Sequence, residues 1–148
     1  MTTARPIHIL FLCTGNSCRS QMAEGFARAR GGERVVARSA GIVAHGKNPR
    51  AIAAMADIGI DISDQASTQL TDAMLHEADL VVTVCGHADE QCPVLPPGVR
   101  REHWPLPDPA RAVGSEADIV ACFHAVRDDV EQRVEALLAS LAEGADTP

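Results

Sequence analysis

The sequence has no tyrosine, one tryptophan and three phenylalanines among its 148 residues. Proteins that hold single-stranded nucleic acid stack the bases on aromatic side chains, so this shortage argues against that function. Positive charge is also scarce, because 13 Lys and Arg stand against 20 Asp and Glu and the net charge is −7. Such a chain as a whole repels nucleic acids and anionic membranes. We therefore expect neither as a partner.

Long hydrophobic runs are missing as well. The apolar stretch near the amino terminus covers only residues 7–12, and no other segment approaches the roughly 20 apolar residues of a membrane-spanning helix. Residues 1–6 contain no basic region followed by a cleavage site. These features predict a cytoplasmic protein.

The remaining composition is that of one globular domain, with 46% hydrophobic and 22% charged residues. The length is sufficient to bury a core. We expect a single catalytic domain over residues 1–142 and a frayed tail over 143–148. The five cysteines stand at positions 13, 18, 85, 92 and 122. In the cytoplasm such thiols are more often catalytic, redox-active or metal-binding than joined in structural disulfides.

Hydrophobic patterning predicts strands that alternate with helices. Continuous apolar runs at residues 7–12 and 78–84 are typical of buried parallel strands, and shorter ones predict strands at 35–37 and 100–104. Helices are predicted over 18–30, 48–58 and 68–77, followed by a long final helix capped by Ser115. Residues 85–97 are expected to be irregular. This alternation predicts a three-layer α/β/α fold with a doubly wound parallel sheet of about four strands.

The segment CTGNSCRS, from Cys13 to Ser20, lies between the first strand and the first helix. Successive N–H groups of a tight loop and the start of a helix point at one spot, which predicts a site for a tetrahedral oxyanion. Arg19 can curl back and bind two oxygens through its planar guanidinium. The positive field favours a thiolate at Cys13, and Ser20 can donate a hydrogen bond to its sulfur. The predicted oxyanion-binding residues are Thr14, Gly15, Asn16, Ser17, Cys18, Arg19 and Ser20.

Cys85 follows the second continuous apolar run. Ligands of doubly wound folds bind at the carboxyl ends of strands, where Cys13 is also predicted to lie. The two thiols could therefore share one site. Cys18 and Cys122 are expected to be structural, and His45 and His103 carry no functional signal.

The stretch CTGNSCRSQMAEG at residues 13–25 resembles the phosphate-binding loop of the low-molecular-weight protein tyrosine phosphatase superfamily. More closely, the chain is similar over residues 7–109 to the thioredoxin-coupled arsenate reductases of that superfamily. The further motifs that carry this similarity are SAGI at 39–42, LVVTVC at 80–85, CPVLPP at 92–97, EHW at 102–104 and Asp108-Pro109. The resemblance implies a phosphatase-like, flavodoxin-like fold that reduces arsenate to arsenite, with thioredoxin as electron donor and no bound cofactor.

The resemblance also implies a relay of three thiols. The Cys13 thiolate attacks arsenic held by the loop and Arg19, while Asp108 protonates the leaving oxygen. Cys85 then attacks the sulfur of Cys13 and expels arsenite. Finally Cys92 attacks Cys85 and leaves a Cys85–Cys92 disulfide for thioredoxin. If residues 86–91 are helical in the reduced protein, they must unwind, because seven helical residues separate two Cα atoms by about 10 Å and a disulfide needs about 7 Å or less.

Two other functions stay open. One is a low-molecular-weight protein tyrosine phosphatase that hydrolyses phosphate monoesters through a phosphorylated Cys13. Such enzymes usually place an aromatic residue after the Asp-Pro pair, whereas Ala110-Arg111 follow here. The other is a thiol-based redox or oxyanion sensor. For the reductase, phosphate or sulfate is expected to compete with arsenate. We also expect the protein to be a monomer.

A resident metal is not expected. No closely spaced cysteine pair indicates zinc. Some reductases of this class bind potassium near the loop, at positions matched by Asn16, Glu24 and Ser39. Two further positions of that site are Ala66 and Thr68 here, which lack the side-chain oxygen or carboxylate of the pattern. We expect Asn16, Glu24 and Ser39 to brace the loop by hydrogen bonds instead.

Overall fold

Four parallel strands form the central sheet of the protein, in the order β2-β1-β3-β4. The structure is a computed structural model that describes residues 5–92 and 94–146. The strands are β1 (Ile7–Cys13), β2 (Val35–Gly41), β3 (Leu80–Thr83) and β4 (Arg100–His103). The helices are α1 (Arg19–Gly31), α2 (Pro49–Ala56), α3 (Asp72–Glu77), α4 (Gly86–Gln91) and α5 (Glu116–Asp146), with short 3₁₀ segments at Gly32–Arg34 and Pro109–Arg111.

The strand β1 lies at the centre of the sheet, paired with β2 on one side and β3 on the other. Its residues Ile9, Leu10, Phe11 and Leu12 are all buried, as a strand covered on both faces requires. The edge strand β4 is charged instead, with the sequence RREH, and this discourages pairing with further strands.

The helices cover both faces of the sheet. The crossover from β1 to β2 runs in one direction along the sheet and the crossovers to β3 and β4 run in the other. Because parallel crossovers are right-handed, α1 in the first crossover lies on the face opposite α3 and α4 in the later ones. The helices α3 and α4 pack against β1, whereas α1 contacts α2 and α5 on its own face. The predicted three-layer α/β/α fold with flavodoxin-like strand order is confirmed.

Two predicted helix starts are confirmed by their caps. The Asn48 Oδ1 accepts a hydrogen bond from the Arg50 N–H at 2.8 Å, and the Ser115 Oγ accepts one from the Asp118 N–H at 3.1 Å. The last helix turns an apolar stripe to the core. Its buried members include Phe123, Val126, Val130, Val134 and Leu137.

Three boundaries differ from prediction. The helix predicted over 68–77 begins only at Asp72, because residues 68–70 instead bond to the end of β2 through the N–H and C=O groups of Gly41. The segment predicted as irregular contains α4. The last helix runs on to Asp146, beyond the boundary predicted at residue 142. Residues 147–148 of the predicted tail lie outside the described residues.

The strand order indicates where a ligand would bind. The order reverses at β1, between its two neighbours, and ligands of such sheets bind at the carboxyl ends of the strands near this point. Cys13 is the last residue of β1, and Cys85 follows the carboxyl end of β3 by two residues. No helix within residues 5–92 and 94–146 has the length and apolar character needed to cross a membrane.

Candidate active site

The loop predicted to bind an oxyanion joins β1 to α1. Cys13 is the last residue of the strand and Arg19 is the first of the helix. Between them Asn16 has a φ of 51°, a left-handed conformation that asparagine tolerates better than most residues. This turn reverses the chain between the buried strand and the buried first turns of α1.

A second segment holds the loop from behind. We call residues 42–48 the strap, because its N–H groups bind the loop carbonyls one after another. The bonds run from Ile42 to Cys13 (3.1 Å), from Val43 to Thr14 (3.0 Å), from His45 to Gly15 (2.9 Å) and from Asn48 to Ser17 (3.0 Å). In a planar trans peptide the N–H points opposite to the C=O. With these carbonyls turned to the strap, the N–H groups that follow them face the other way, where an anion would bind.

The hydrogen bonds of Asn16 orient the Ser20 hydroxyl beside Cys13. Its Oδ1 accepts from the Thr68 N–H at 2.7 Å, so its Nδ2 faces the hydroxyls of Ser20 and Ser39, each at 2.9 Å. An amide nitrogen only donates, so both hydroxyls accept from it and keep their own hydrogens for another partner. The Ser20 hydrogen is thereby available to Cys13 Sγ, 3.0 Å from its oxygen. Ser20 can thus donate a hydrogen bond to the sulfur.

The other end of this network is a buried carboxyl group. The Ser39 Oγ donates to Glu24 Oε1 at 2.6 Å, and the Arg28 Nη2 lies 3.1 Å from Glu24 Oε2. Burial raises the pKa of Glu24, although the Ser39 hydrogen bond and Arg28 both lower it. Asn16, Glu24 and Ser39 therefore brace the loop by hydrogen bonds, as predicted.

Two side chains that could offer oxygen to a potassium ion already have partners in the protein. The Asn16 oxygen already accepts the Thr68 N–H, and the Arg28 guanidinium neutralises the Glu24 carboxylate. In the described ranges, no group of three or more His, Cys, Asp or Glu side chains is arranged to hold a metal ion.

The guanidinium of Arg19 is partly satisfied by hydrogen bonds and ion pairing within the protein. Its Nη1 donates to the Leu106 carbonyl at 3.1 Å, and its Nη2 lies 3.7 Å from Asp108 Oδ2. The Nε is buried and, among the described residues, has no hydrogen-bond partner. An unsatisfied buried donor is costly and calls for an explanation. An oxyanion bound in the loop would supply the missing acceptor.

Asp108 is held near this guanidinium by its own turn. Its Oδ1 accepts from the Ala110 N–H at 3.0 Å and so caps the 3₁₀ segment Pro109–Arg111. The side chain is 31% exposed, so it can exchange protons with water. Its carboxyl group lines the cavity in front of the loop.

Cys85 reaches the loop from the neighbouring strand end. Its Sγ lies 3.2 Å from the Thr14 Oγ1 and accepts the Ala88 N–H at 3.3 Å, as the N-cap of α4. Cys92 directly follows the same helix and is half-buried. Residues 86–91, which separate the two thiols, are therefore helical. Cys18 is also buried, which raises its pKa to about 11, so this thiol stays protonated.

These residues surround a cavity of about 520 Å³. Of the predicted site residues, the lining includes Cys13, Thr14, Gly15, Ser17, Cys18, Arg19, Cys85 and Asp108. Asn16 and Ser20 are fully buried and lie behind the loop, where they position other groups. Cys92 does not line this cavity either. Three residues that the sequence did not mark as site residues do line it: His45, Ala110 and Arg111.

Comparison with known proteins agrees with this geometry. The family of low molecular weight phosphotyrosine protein phosphatases matches residues 8–146. An arsenate reductase of Bacillus licheniformis is 54% identical over 127 residues, which are 86% of this chain and 91% of that protein. A solved arsenate reductase in its phosphate-binding state has a TM-score of 0.75 and 36% identity, over 90% of this chain and 98% of that one.

A second solved structure is a thioredoxin-dependent arsenate reductase of Corynebacterium glutamicum. Its TM-score is 0.77 at 26% identity, over 96% of this chain and 65% of that one. Every candidate site residue, from Cys13 to Arg111, lies within the region that the family matches.

Proposed function

The chain belongs to the low-molecular-weight phosphotyrosine protein phosphatase family and, within it, to the arsenate reductases, and we propose that it reduces arsenate through a relay of three cysteines. One observation carries the relay: the Cys85 sulfur contacts the oxyanion loop, 3.2 Å from the Thr14 hydroxyl. In a phosphatase, water beside the loop hydrolyses the phosphorylated cysteine. Reduction of an arsenic adduct requires a second thiol beside the loop, and the Cys85 sulfur lies there.

The first step is capture and attack. The loop N–H groups and Arg19 bind three oxygens of arsenate, and the unpartnered Arg19 Nε gains its acceptor. The Cys13 thiolate, stabilised by Ser20, attacks arsenic. Asp108 gives its proton to the leaving oxygen, which departs as water. The product is a covalent Cys13–As(V) adduct.

The second step transfers electrons. The Cys85 thiolate attacks the sulfur of Cys13 and the S–As bond breaks. The bonding pair goes to arsenic, which leaves as arsenite, and the two sulfurs form the Cys13–Cys85 disulfide. Arsenic gains two electrons and the two sulfurs together lose two. The Ala88 N–H donates a hydrogen bond to Cys85 Sγ and helps to hold this sulfur beside the loop.

The third step moves the disulfide away from the loop. Cys92 attacks Cys85 and frees the Cys13 thiolate. Since α4 separates Cys85 from Cys92, at about 1.5 Å per residue, this helix has to unwind before the two sulfurs meet. The Cys85–Cys92 disulfide is then reduced by thioredoxin, the donor named for the Corynebacterium relative. We expect this to occur in the cytoplasm, with phosphate and sulfate as competing anions.

The test is a coupled assay of arsenate-dependent NADPH oxidation with thioredoxin and thioredoxin reductase. The wild type should turn over repeatedly, while Cys92→Ser should stop after one equivalent of arsenite. Cys122→Ser is the matched control, because this thiol has no place in the relay, and it should keep wild-type turnover. No arsenate-dependent oxidation by the wild type would refute reduction. Repeated turnover by Cys92→Ser would refute the role given to Cys92.

The same preparation separates the phosphatase alternative. A shared oxyanion loop should give slow hydrolysis of p-nitrophenyl phosphate even in a reductase. Efficient hydrolysis together with no arsenite formation would favour the phosphatase.

A further inference from the structure

The mouth of the cavity is formed by His45, Ala110 and Arg111. It carries the charge of Arg111, whereas a site for aryl phosphate esters would carry an aromatic side chain that stacks on the substrate ring. Among the described residues that line the cavity there is no Phe, Tyr or Trp. The lining includes two arginines, Arg19 and Arg111, against the single carboxylate of Asp108. The cavity is thus locally basic in a chain whose net charge is −7.

Arg111 is held at this mouth by a short, well-anchored turn. Its N–H donates to the Asp108 carbonyl at 3.2 Å, and the Ala112 N–H donates to the Pro109 carbonyl at 3.1 Å. Pro109 is buried and the turn packs on α5. The backbone of Arg111 is therefore fixed three residues from the proposed acid, while its side chain is exposed to solvent.

Arg111 differs from other exposed arginines in its ion pairing. Other exposed arginines pair with carboxylates, for example Arg50 with Glu116 at 2.6 Å and Arg38 with Glu77 at 2.8 Å. Among the side chains that the structure describes, no carboxylate lies within ion-pair distance of Arg111. A cation that is fixed at a cavity mouth and unpaired raises the local concentration of small anions.

The geometry points to Arg111 as a specificity-determining residue that draws free inorganic oxyanions into the loop and favours them over aryl esters. This inference rests on the proposed function. A free arsenate or phosphate ion in the loop leaves the mouth of the cavity open. The Arg111 guanidinium can then stay there, and both Arg19 and Arg111 attract the anion. The ring of an aryl ester has to occupy the mouth, where it displaces the Arg111 guanidinium and finds no aromatic side chain to stack on.

The test compares Arg111→Ala and Arg111→Lys with Arg34→Ala, which removes another exposed arginine at a distance from the cavity. For Arg111→Ala we expect the KM for arsenate and the inhibition constant of phosphate to rise about five- to tenfold, with kcat within about twofold. Added salt should weaken arsenate use by the wild type more than by this variant. Arg111→Lys should retain most of the wild-type behaviour, and Arg34→Ala all of it.

The selectivity is tested with p-nitrophenyl phosphate, whose KM should rise less in Arg111→Ala than that for arsenate. Equal rises would overturn the selectivity, and an unchanged phosphate inhibition constant would overturn the whole inference. Protection of Cys13 from iodoacetamide by phosphate gives the same comparison without turnover. If the wild type fails to reduce arsenate but phosphate protects Arg111→Ala less well, the proposed reduction fails and the role of Arg111 stands.

Discussion

The Cys85 Sγ and the Thr14 Oγ1 lie 3.2 Å apart, which joins the end of β3 to the oxyanion loop at the end of β1. The two strands are neighbours, with Leu12 paired to Thr83, so the contact follows from the sheet order and does not depend on a flexible loop. The proposed relay requires a second thiol at such a position beside the loop.

The first prediction concerns this thiol. Cys85→Ser should abolish arsenite release, because an alcohol is a poor nucleophile toward sulfur, yet the loop and its nucleophile remain. Hydrolysis of p-nitrophenyl phosphate should therefore stay within about threefold of wild type. Arsenite can be measured by its reaction with a dithiol reagent. Arsenite release at the wild-type rate would mean that a group other than Cys85 attacks the sulfur of Cys13.

The second prediction concerns the hydroxyl that faces the nucleophile. Ser20→Ala removes the donor 3.0 Å from Cys13 Sγ. Hydrogen bonds to charged groups are worth about 1.5–3 kcal/mol, so alkylation of Cys13 at a fixed neutral pH should slow by about tenfold or more. Iodoacetamide labelling followed by peptide mass analysis measures this rate. Ser140→Ala, on α5, is the control and should leave the rate unchanged, and an unchanged rate in Ser20→Ala would exclude a role of this hydroxyl in the reactivity of Cys13.

The third prediction concerns the glycine behind the loop. A Cβ on Gly41 would lie 2.2 Å from the Val43 carbonyl oxygen and 2.7 Å from the Asn16 nitrogen, both backbone atoms. Gly41→Ala must therefore displace the strap or the loop, and we expect the free energy of unfolding to fall by about 2 kcal/mol. Urea denaturation measures this. Gly86→Ala is the control, since nothing lies within 4 Å of its added Cβ, and an equal loss in both variants would contradict the account.

The fourth prediction uses Gly86→Ala for another purpose. Alanine favours a helix over glycine by up to about 1 kcal/mol, so α4 should become harder to unwind. Formation of the Cys85–Cys92 disulfide should slow by about threefold, while the Cys13–Cys85 disulfide forms as before. Quenched-flow mass analysis of a single turnover separates the two steps. An unchanged second step, or equal amide exchange across residues 86–92 in reduced and oxidised protein, would mean that α4 does not unwind.

Much of the site was predictable because its determinants are local. The loop needs only a buried strand, a tight turn and a helix start in succession, and residues 7–20 contain all three signals. The Asn48 and Ser115 caps are equally local, since each side chain bonds an N–H two or three residues ahead.

The remainder depends on contacts between distant segments. The sequence GHADEQ of α4 has six residues and no apolar stripe, so periodicity could not reveal it. The strap acts through backbone N–H groups, which are the same for nearly every residue type. His45 reaches the loop only because the strap folds over Gly15, where its Nδ1 would lie 2.4 Å from an added Cβ. Arg111 is placed by the packing of its turn on α5.

The relay is tested most directly by the disulfide that Cys92→Ser traps. The reduced variant is mixed with arsenate in the absence of thioredoxin, alkylated and mapped by peptide mass. We predict one arsenite per chain and a Cys13–Cys85 disulfide, with Cys18 and Cys122 still thiols. Arsenite release with Cys13 and Cys85 both reduced, or a disulfide that excludes Cys85, would contradict the relay.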